Sequence, residues 1–232
     1  MNPVNAMKPI IQVAGIKDRE EAALLIRCGV THLGFPLRIP VHSEDLIDEA
    51  AAEIIAEIEP PVKAVLITYL TRAAEIVELV NRLNVPVVQI HGDIEMDELG
   101  TLRVSAPELE VWKSLIVRED NFDELVQRMR SCEPYVDGFI TDTYDPETGA
   151  SGATGKTHDW EVDGRLVKMS RKPVILAGGL TPANVKSAVL DVGPAGVDVH
   201  TGVEGLDGRK KKEFLEIFVR RAREGYKLRF GA

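Results

Sequence analysis

The sequence predicts an α/β protein folded as a single (β/α)8 barrel. Short β-branched runs alternate about eight times with longer amphipathic segments, parallel strands joined by helices need right-handed crossovers, and 232 residues is an ordinary length for one such barrel. The competing fold is an open doubly wound sheet. A G-x-G-x-x-G motif after the first strand would favour it, but the sequence there is VAGIKD. We expect one domain over residues 1–232, with residues 1–7 as an N-terminal tail.

Short runs rich in Val and Ile predict the strands, because β-branched side chains favour extended backbone. Each run is separated from the next by an amphipathic segment, as expected where a helix connects two parallel strands. In chain order the predicted strands are residues 10–13, 31–35, 62–66, 87–90, 111–115, 136–141, 173–177 and 195–199.

Helical periodicity and end signals predict the helices. Asp18 is placed to cap the first helix, which ends at Gly29, and Pro86 marks the exit from the third. The segment 143–158, rich in Gly, Thr and Ser, follows the sixth strand, where a lid loop is expected. The predicted helices are residues 19–29, 45–59, 71–83, 97–104, 121–129, a helix starting near residue 181, and 211–224.

Composition excludes several classes of function. Lys plus Arg number 28 against 37 Asp plus Glu, a formal net charge of −9, so a general nucleic-acid partner is not expected. The two cysteines, Cys28 and Cys132, offer neither a disulfide framework nor metal-ligand spacing, and we expect no metal and no cofactor. The chain shows no signal-peptide pattern and no apolar stretch near the ~20 residues that span a bilayer. We therefore predict a cytoplasmic protein with no membrane partner.

The strongest functional signal comes from the last two predicted strands. Gly178 and Gly179 follow the seventh in LAGGLTPANV, and Thr201 and Gly202 follow the eighth in GVDVHTGVEG. Small residues let backbone N–H groups approach an anion, a helix N-terminus adds a favourable dipole, and barrels commonly bind phosphate between these two loops. The pattern predicts a phosphorylated small-molecule substrate.

Four titratable residues stand at the C-terminal ends of predicted strands, where barrels place their catalytic groups. Asp142, after the sixth strand, is a candidate general acid or base, and Asp198, at the end of the eighth, is a second carboxylate for the mouth. His91, in QIHGD after the fourth strand, either contacts the substrate or is a rim histidine with satisfied hydrogen bonds. His200 lies beside the phosphate loop and is of a type that titrates near neutral pH.

Taken together, segments from about Lys8 to Phe218 resemble phosphoribosylanthranilate isomerase, a TIM barrel of tryptophan biosynthesis. The matching segments are VAGIKD, GVTHLGF, VVQIHGD, VDGFITDT, GATGKTHDW, VILAGGLTPANV and GVDVHTGVEG. The resemblance implies an Amadori rearrangement of an aminoaldose to an aminoketose. A general acid protonates the ring oxygen to give a Schiff base, and a general base then removes the C2 proton. By position, Asp142 matches the general acid.

The chain departs from that family's pattern at the reacting end. The family's general base is a cysteine in a K-x-C-G-I segment, which here reads QVAGI, so Ala14 stands at a vacant general-base position. The arginine that meets the anthranilate carboxylate has only Arg38 as a candidate, and V-S-S-G after the eighth strand here reads VHTG. In the lid segment, Gly152, Thr154 and Gly155 are retained.

Three hypotheses remain open on the sequence. The first is an isomerase of the phosphoribosylanthranilate type, monomeric or homodimeric, in which Asp198, His200 or a bound water replaces the cysteine. Loss of a general base costs about 10²–10⁴-fold in rate, so this replacement decides how efficient the enzyme is. The second is a TIM-barrel enzyme acting on a different phosphorylated small molecule. The third is a non-catalytic protein that binds a phosphorylated metabolite.

Overall fold

In a computed structural model, which describes residues 9–40, 45–143 and 160–231, eight parallel strands close into a barrel in chain order. The last strand pairs with the first, so the described barrel has no open edge. The predicted (β/α)8 architecture is confirmed. The N-terminal tail 1–7 and most of the predicted lid loop lie outside the described residues.

The strands and helices alternate along the chain. The strands are β1 (Ile10–Ala14), β2 (His32–Pro36), β3 (Lys63–Thr68), β4 (Val87–Ile90), β5 (Glu110–Val117), β6 (Gly138–Thr143), β7 (Val174–Leu176) and β8 (Gly196–Val199). The helices are α1 (Arg19–Arg27), α2 (Asp48–Ile55), α3 (Ala73–Leu83), α4 (Met96–Ser105), α5 (Phe122–Cys132), α6 (Trp160–Met169), α7 (Val185–Val192) and α8 (Lys212–Phe230), with a 3-10 turn at Thr201–Val203.

The bounds of two elements near the site differ from the prediction. Strand β6 runs from Gly138 to Thr143. It begins later than predicted because Asp137 is held in the preceding turn, where its side chain accepts from the Val111 N–H at 2.8 Å. Asp142 therefore lies within the strand instead of after it. Helix α7 begins at Val185, not near residue 181.

The delay in α7 has a local cause. The Asn184 side chain accepts from the Thr181 N–H at 2.8 Å and donates to the Gly179 carbonyl at 3.0 Å. These bonds hold a turn between the glycine loop and the helix, as short polar side chains commonly do. Helix α6 was not predicted, because Asp163 and Gly164 lie on its buried face and break the apolar periodicity.

The inward-facing side chains of the barrel differ in size between its two ends. Near the N-terminal ends of the strands, the indole of Trp112 fills the interior and donates to Glu110 Oε1 at 2.9 Å. Near the C-terminal ends, the inward side chains of β1 and of the residue after β7 are the methyl groups of Ala14 and Ala177. Large residues therefore close one end, and small residues leave room at the other, where barrels bind their ligands.

Within the described part of the chain, no helix combines the length and apolarity needed to cross a membrane. The same residues contain no group of three or more His, Cys, Asp or Glu side chains arranged to hold a metal ion.

Candidate active site

The two predicted phosphate loops lie side by side at the C-terminal end of the barrel. They border a cavity of about 250 Å³, which Asp142, residues 178–181 and residues 198–202 line. Gly178 and Gly179 both have positive φ values, of 94° and 61°, which favour glycine. A Cβ at Gly202 would come 1.9 Å from the Leu180 carbonyl oxygen, so the loops approach more closely than any side chain would allow.

Asp142 points into this cavity from β6 and is 6% exposed. Its Oδ1 accepts a hydrogen bond from the Thr143 N–H at 2.8 Å, and its Oδ2 lies 3.8 Å from His91 Nε2. The carboxyl group is thus held at the cavity wall, with one oxygen bound to backbone. This is the placement that a proton donor or acceptor for a bound ligand requires.

Asp198 lines the same cavity from β8, and only 8% of it is exposed. Burial, and secondarily the nearby charge of Asp142, raises the pKa of this carboxyl to about 7, while contacts with Gln12 and Lys210 act in the opposite direction. Since two close carboxylates resist ionising together, the charge of Asp142 favours the protonated form of Asp198. We call these two residues the carboxyl pair.

His91 lies beside the carboxyl pair but lines a neighbouring cavity of about 560 Å³. Burial, and secondarily the charge of Lys113, lowers the pKa of His91 to about 3, so its ring is neutral and its approach to Asp142 is not an ion pair. The ring stacks on Tyr69, with centroids 5.1 Å apart.

A chain of amides crosses the barrel interior and fixes His91. Gln12 Nε2 donates to Gln89 Oε1 at 2.9 Å, and the Gln89 amide lies 2.9 Å from His91 Nε2. With the imidazole neutral, the amide donates and the ring nitrogen accepts. The sequence analysis missed Gln12 and Gln89, because a polar residue inside an apolar strand gives no sign of what it faces.

Lys113 is a third residue that the sequence analysis missed. Its ammonium donates to the carbonyls of Ile90 and Ser114 at 3.3 and 2.9 Å, and it lines the same cavity as His91. Burial lowers the pKa of Lys113 to about 8, with the Arg128 charge acting in the same direction.

Arg38 does not line the cavity of the carboxyl pair. Its guanidinium donates two hydrogen bonds to the Asp48 carboxylate, at 2.9 and 2.6 Å, and Arg82 donates to the same carboxylate at 2.8 Å. Arg38 lines a different cavity with residues of α3. The structure therefore does not bring it together with Asp142, and its predicted contact with an anthranilate carboxylate stays a prediction.

His200, which lines the cavity, lies close in the chain fold to the vacant position at Ala14. Ala14 ends β1, is 4% exposed and packs with the inward-facing apolar residues. His200 directly follows β8, and its imidazole lies against the backbone of Gly15. The predicted lid residues Gly152, Thr154 and Gly155 lie outside the described residues.

A family model and a curated relative give this chain the same description. A family model described as N-(5'-phosphoribosyl)anthranilate (PRA) isomerase matches residues 11–221. N-(5'-phosphoribosyl)anthranilate isomerase 2 from Methanosarcina mazei is 37% identical over 217 residues, which cover 93% of this chain and 95% of that protein.

Solved structures give the same result. A crystal structure of the phosphoribosylanthranilate isomerase from Thermotoga maritima is 26% identical, with a TM-score of 0.79, and the match covers 94% of this chain and 100% of that one. A structure of monomers generated from the dimeric Thermotoga maritima isomerase is 25% identical, with a TM-score of 0.75, over the same shares of the two chains.

Proposed function

Because this chain belongs to the N-(5'-phosphoribosyl)anthranilate isomerase family, we propose that it binds N-(5'-phosphoribosyl)anthranilate at the C-terminal end of its barrel. The chain is an isomerase of tryptophan biosynthesis, and the reaction is the Amadori rearrangement of an aminoaldose to an aminoketose. One observation carries the assignment of the site: Asp142 and the two glycine-containing loops line a single cavity.

The loops after β7 and β8 are the proposed phosphate site. Gly178 and Gly179 expose backbone without side chains, and Thr201 and Gly202 face them across the cavity. Backbone N–H groups and a hydroxyl suit a phosphate, whose oxygens only accept hydrogen bonds. The net charge of −9 gives no general attraction for an anion, so this local site has to supply the binding energy.

The carboxyl pair is the proposed source of the acid. Asp142 stands at the cavity wall as the group that protonates the ring oxygen, and Asp198, whose pKa is raised to about 7, is a second group that holds a proton near neutral pH. The rearrangement moves protons between positions of one substrate and needs no external oxidant or reductant. We therefore propose that no cofactor takes part.

Two further contacts with the substrate are proposed. His91, held neutral beside Asp142, is available to hydrogen-bond the substrate. Arg38 is the candidate for the anthranilate carboxylate, and Asp48 now occupies the face of the guanidinium that this carboxylate would use. The substrate would have to compete with Asp48 for Arg38.

The names of the relatives favour this isomerase over the other two hypotheses, a different phosphorylated substrate and a non-catalytic binding protein. A cytoplasmic location and a monomeric or homodimeric state complete the proposal. The Thermotoga maritima relative is described as dimeric, which supports a homodimer. Sedimentation of the purified protein measures its oligomeric state.

The test is an assay of the purified protein with phosphoribosylanthranilate, whose fluorescence disappears on rearrangement. We expect turnover in the wild type and a loss of about 10²–10⁴-fold in kcat for Asp142→Asn, because a carboxamide is too weak an acid to transfer a proton to the ring oxygen. Asp191→Asn, the same change at an exposed position on α7, should leave kcat unaltered. No conversion by wild-type protein at high enzyme concentration would refute the proposed substrate.

A further inference from the structure

The proposed rearrangement needs a base as well as an acid. Opening the ring consumes one proton at the ring oxygen, and forming the enolamine then requires a group that takes the proton from C2. The residue that ends β1 beside the cavity is Ala14, whose methyl group accepts no proton. The base therefore has to come from elsewhere in the cavity wall.

Among the residues that the structure describes, three titratable side chains line the cavity between the phosphate loops: Asp142, Asp198 and His200. The charge of Asp142 adds to burial in raising the pKa of Asp198, so these two carboxyl groups are electrostatically coupled. Because Asp142 is the proposed acid and Asp198 lies deeper in the barrel, opposite Gln12, the imidazole is the separate group left to accept the C2 proton.

The strand register places His200 at the level of the methyl group. In the β1–β8 ladder, Gln12 is paired with Asp198 and Val13 with Val199. One further step in the same register sets His200 beside Ala14. Asp198 lies one inward-facing position deeper, and His200 lies level with the end of β1, where the loops bind their ligand.

Direct contact agrees with the register. A Cβ built on Gly15 would come 2.1 Å from His200 Nε2 and 2.8 Å from both neighbouring ring carbons. The ring thus occupies the space that a side chain at position 15 would fill. Gly15 also has a φ of 76°, so the backbone turns away at this point and leaves the imidazole against the end of β1.

An ion pair between Glu204 and the buried Lys210 is placed to orient His200 and to stabilise its charged form. Glu204 Oε1 lies 3.6 Å from His200 Nε2, and the same oxygen accepts from the ammonium of Lys210 at 2.6 Å. The Lys210 side chain is 0% exposed, so its ammonium holds the Glu204 carboxylate in place on the side of the protein interior. A carboxylate beside an imidazole favours the imidazolium that forms when the ring takes a proton.

Resting on the proposed function, we propose that His200 is the general base of this isomerase and that Glu204 is its positioning residue. The carboxyl pair protonates the ring oxygen, the C1–O bond breaks, and the nitrogen lone pair forms the C1=N bond of the Schiff base. His200 takes the proton from C2. The C–H electrons become the C1=C2 bond, and the C=N electrons return to nitrogen, which gives the enolamine.

The cycle closes without an added reagent. The imidazolium returns its proton to C1, and the C2 hydroxyl gives its proton to the carboxyl pair, which restores both catalytic groups and leaves the ketone. Every bond broken in the substrate is matched by one formed, and no oxidant or reductant is consumed.

The experiment replaces His200 by Ala and, in a second variant that keeps a polar side chain, by Gln. Both should lose about 10²–10⁴-fold in kcat with phosphoribosylanthranilate. Free imidazole added to His200→Ala should restore part of the rate, because a soluble base can enter the space of the missing ring. With substrate deuterated at C2, the isotope effect on kcat should increase in both variants, since proton removal becomes rate-limiting.

Glu204→Gln tests the positioning residue. It should lower kcat by less than His200→Ala does, raise the same isotope effect and leave KM nearly unchanged. Glu216→Gln, the matched change at an exposed glutamate of α8, should alter neither constant. A purely structural role for Glu204 would lower the amount of folded enzyme without changing the isotope effect.

The outcomes separate this inference from the proposed function. If wild-type protein does not turn over phosphoribosylanthranilate, the proposed function fails. If the wild type is active and both His200 variants stay within about threefold of it, His200 is not the base. A large loss in Asp198→Asn with His200 variants unaffected would assign the base to the carboxyl pair and overturn the inference.

Discussion

A single glycine controls how closely the two phosphate loops approach each other. Gly202 faces the Leu180 carbonyl so tightly that a Cβ would lie 1.9 Å from its oxygen. Because that neighbour is backbone, a methyl group at Gly202 has to push one loop away from the other. The width of the proposed phosphate site therefore depends on the absence of one side chain.

Gly202→Ala should therefore weaken phosphate binding more than chemistry. We expect KM for phosphoribosylanthranilate to rise at least tenfold, with a smaller change in kcat, because the separated loops can no longer surround the phosphate together. Steady-state kinetics measure both constants. Gly164→Ala on α6 is the matched control, because a Cβ there meets nothing within 4 Å. An unchanged KM in Gly202→Ala would show that the phosphate binds elsewhere.

At the scale of residues, the sequence predicted those site residues that can be recognised from a titratable side chain at the end of a strand. Asp142, Asp198 and His200 stand at strand ends, and the structure places all three on one cavity. It could not predict Glu204 or Lys210, because their roles depend on which side chain they meet across a turn. Arg38, which has a φ of 60°, pairs with Asp48 in the structure, and its predicted contact with the substrate stays a prediction.

At the scale of elements, the first helix is fixed at its N-terminus by the residue that the sequence indicated. Asp18 Oδ1 accepts from the Glu21 N–H at 2.8 Å, and Oδ2 accepts from Arg209 at 2.5 Å. Glu21 is 2% exposed, and its carboxylate accepts from the N–H groups of Lys17 and Lys210 at 3.0 and 2.9 Å. The loop after β1 is thus tied to the segment that precedes α8, next to His200 and Glu204.

Asp18→Ala should lower the free energy of unfolding by about 1 kcal/mol, because it removes an N-cap. The Arg209 pair adds little, since both side chains are 41% exposed and exposed pairs contribute only ~0–1 kcal/mol. Urea unfolding followed by circular dichroism measures the change. Asp191→Ala, near the C-terminal end of α7, caps nothing and should be neutral or slightly stabilising. Equal losses in the two variants would contradict the capping role.

Element types were easier to predict than their ends. Helix α8 runs to Phe230, beyond the predicted residue 224, because Gly225 lies close against Val189 of α7 and extends the contact between the two helices. Helix α7 begins late because Asn184 bonds back to the glycine loop. Both ends are decided by contacts between segments distant in sequence, which periodicity within a segment does not contain.

At the scale of the whole molecule, the barrel separates stability from chemistry. Its N-terminal end holds Trp112 and His32, whose rings lie 5.4 Å apart. Eight alternating units were enough to predict the closed barrel, because short right-handed connections leave few other arrangements for so many parallel strands. The size gradient inside it was not predictable, because it depends on which residues of each strand face inward at each level.

Two buried histidines make stability depend on pH. Burial lowers the pKa of His32 to about 4, with the Lys63 charge acting in the same direction, and His91 falls to about 3. Below pH 6.5 the two histidines bind protons in the unfolded chain but not in the folded chain, so the free energy of unfolding falls as pH falls. Asp198 has the opposite sign. Its raised pKa means that the folded state keeps a proton which the unfolded chain loses, so its contribution declines as pH rises from 3.8 to about 7.

Between pH 6.5 and 4, the destabilising contribution of the two histidines to the free energy of unfolding is larger than the stabilising contribution of Asp198. The wild type should therefore lose stability on acidification. His32→Gln should reduce that loss by about 3 kcal/mol, since 2.5 pKa units at 1.36 kcal/mol each are removed from the balance. Asp48, whose pKa is lowered first by its hydrogen bond with Arg38, acts only below this range. Urea unfolding at pH 6.5, 5 and 4 compares the two proteins. Because His32 lies at the end of the barrel away from the cavity, the kcat of His32→Gln should equal that of the wild type. If the free energies of unfolding of the two proteins change in parallel with pH, His32 is not the source of the acid sensitivity.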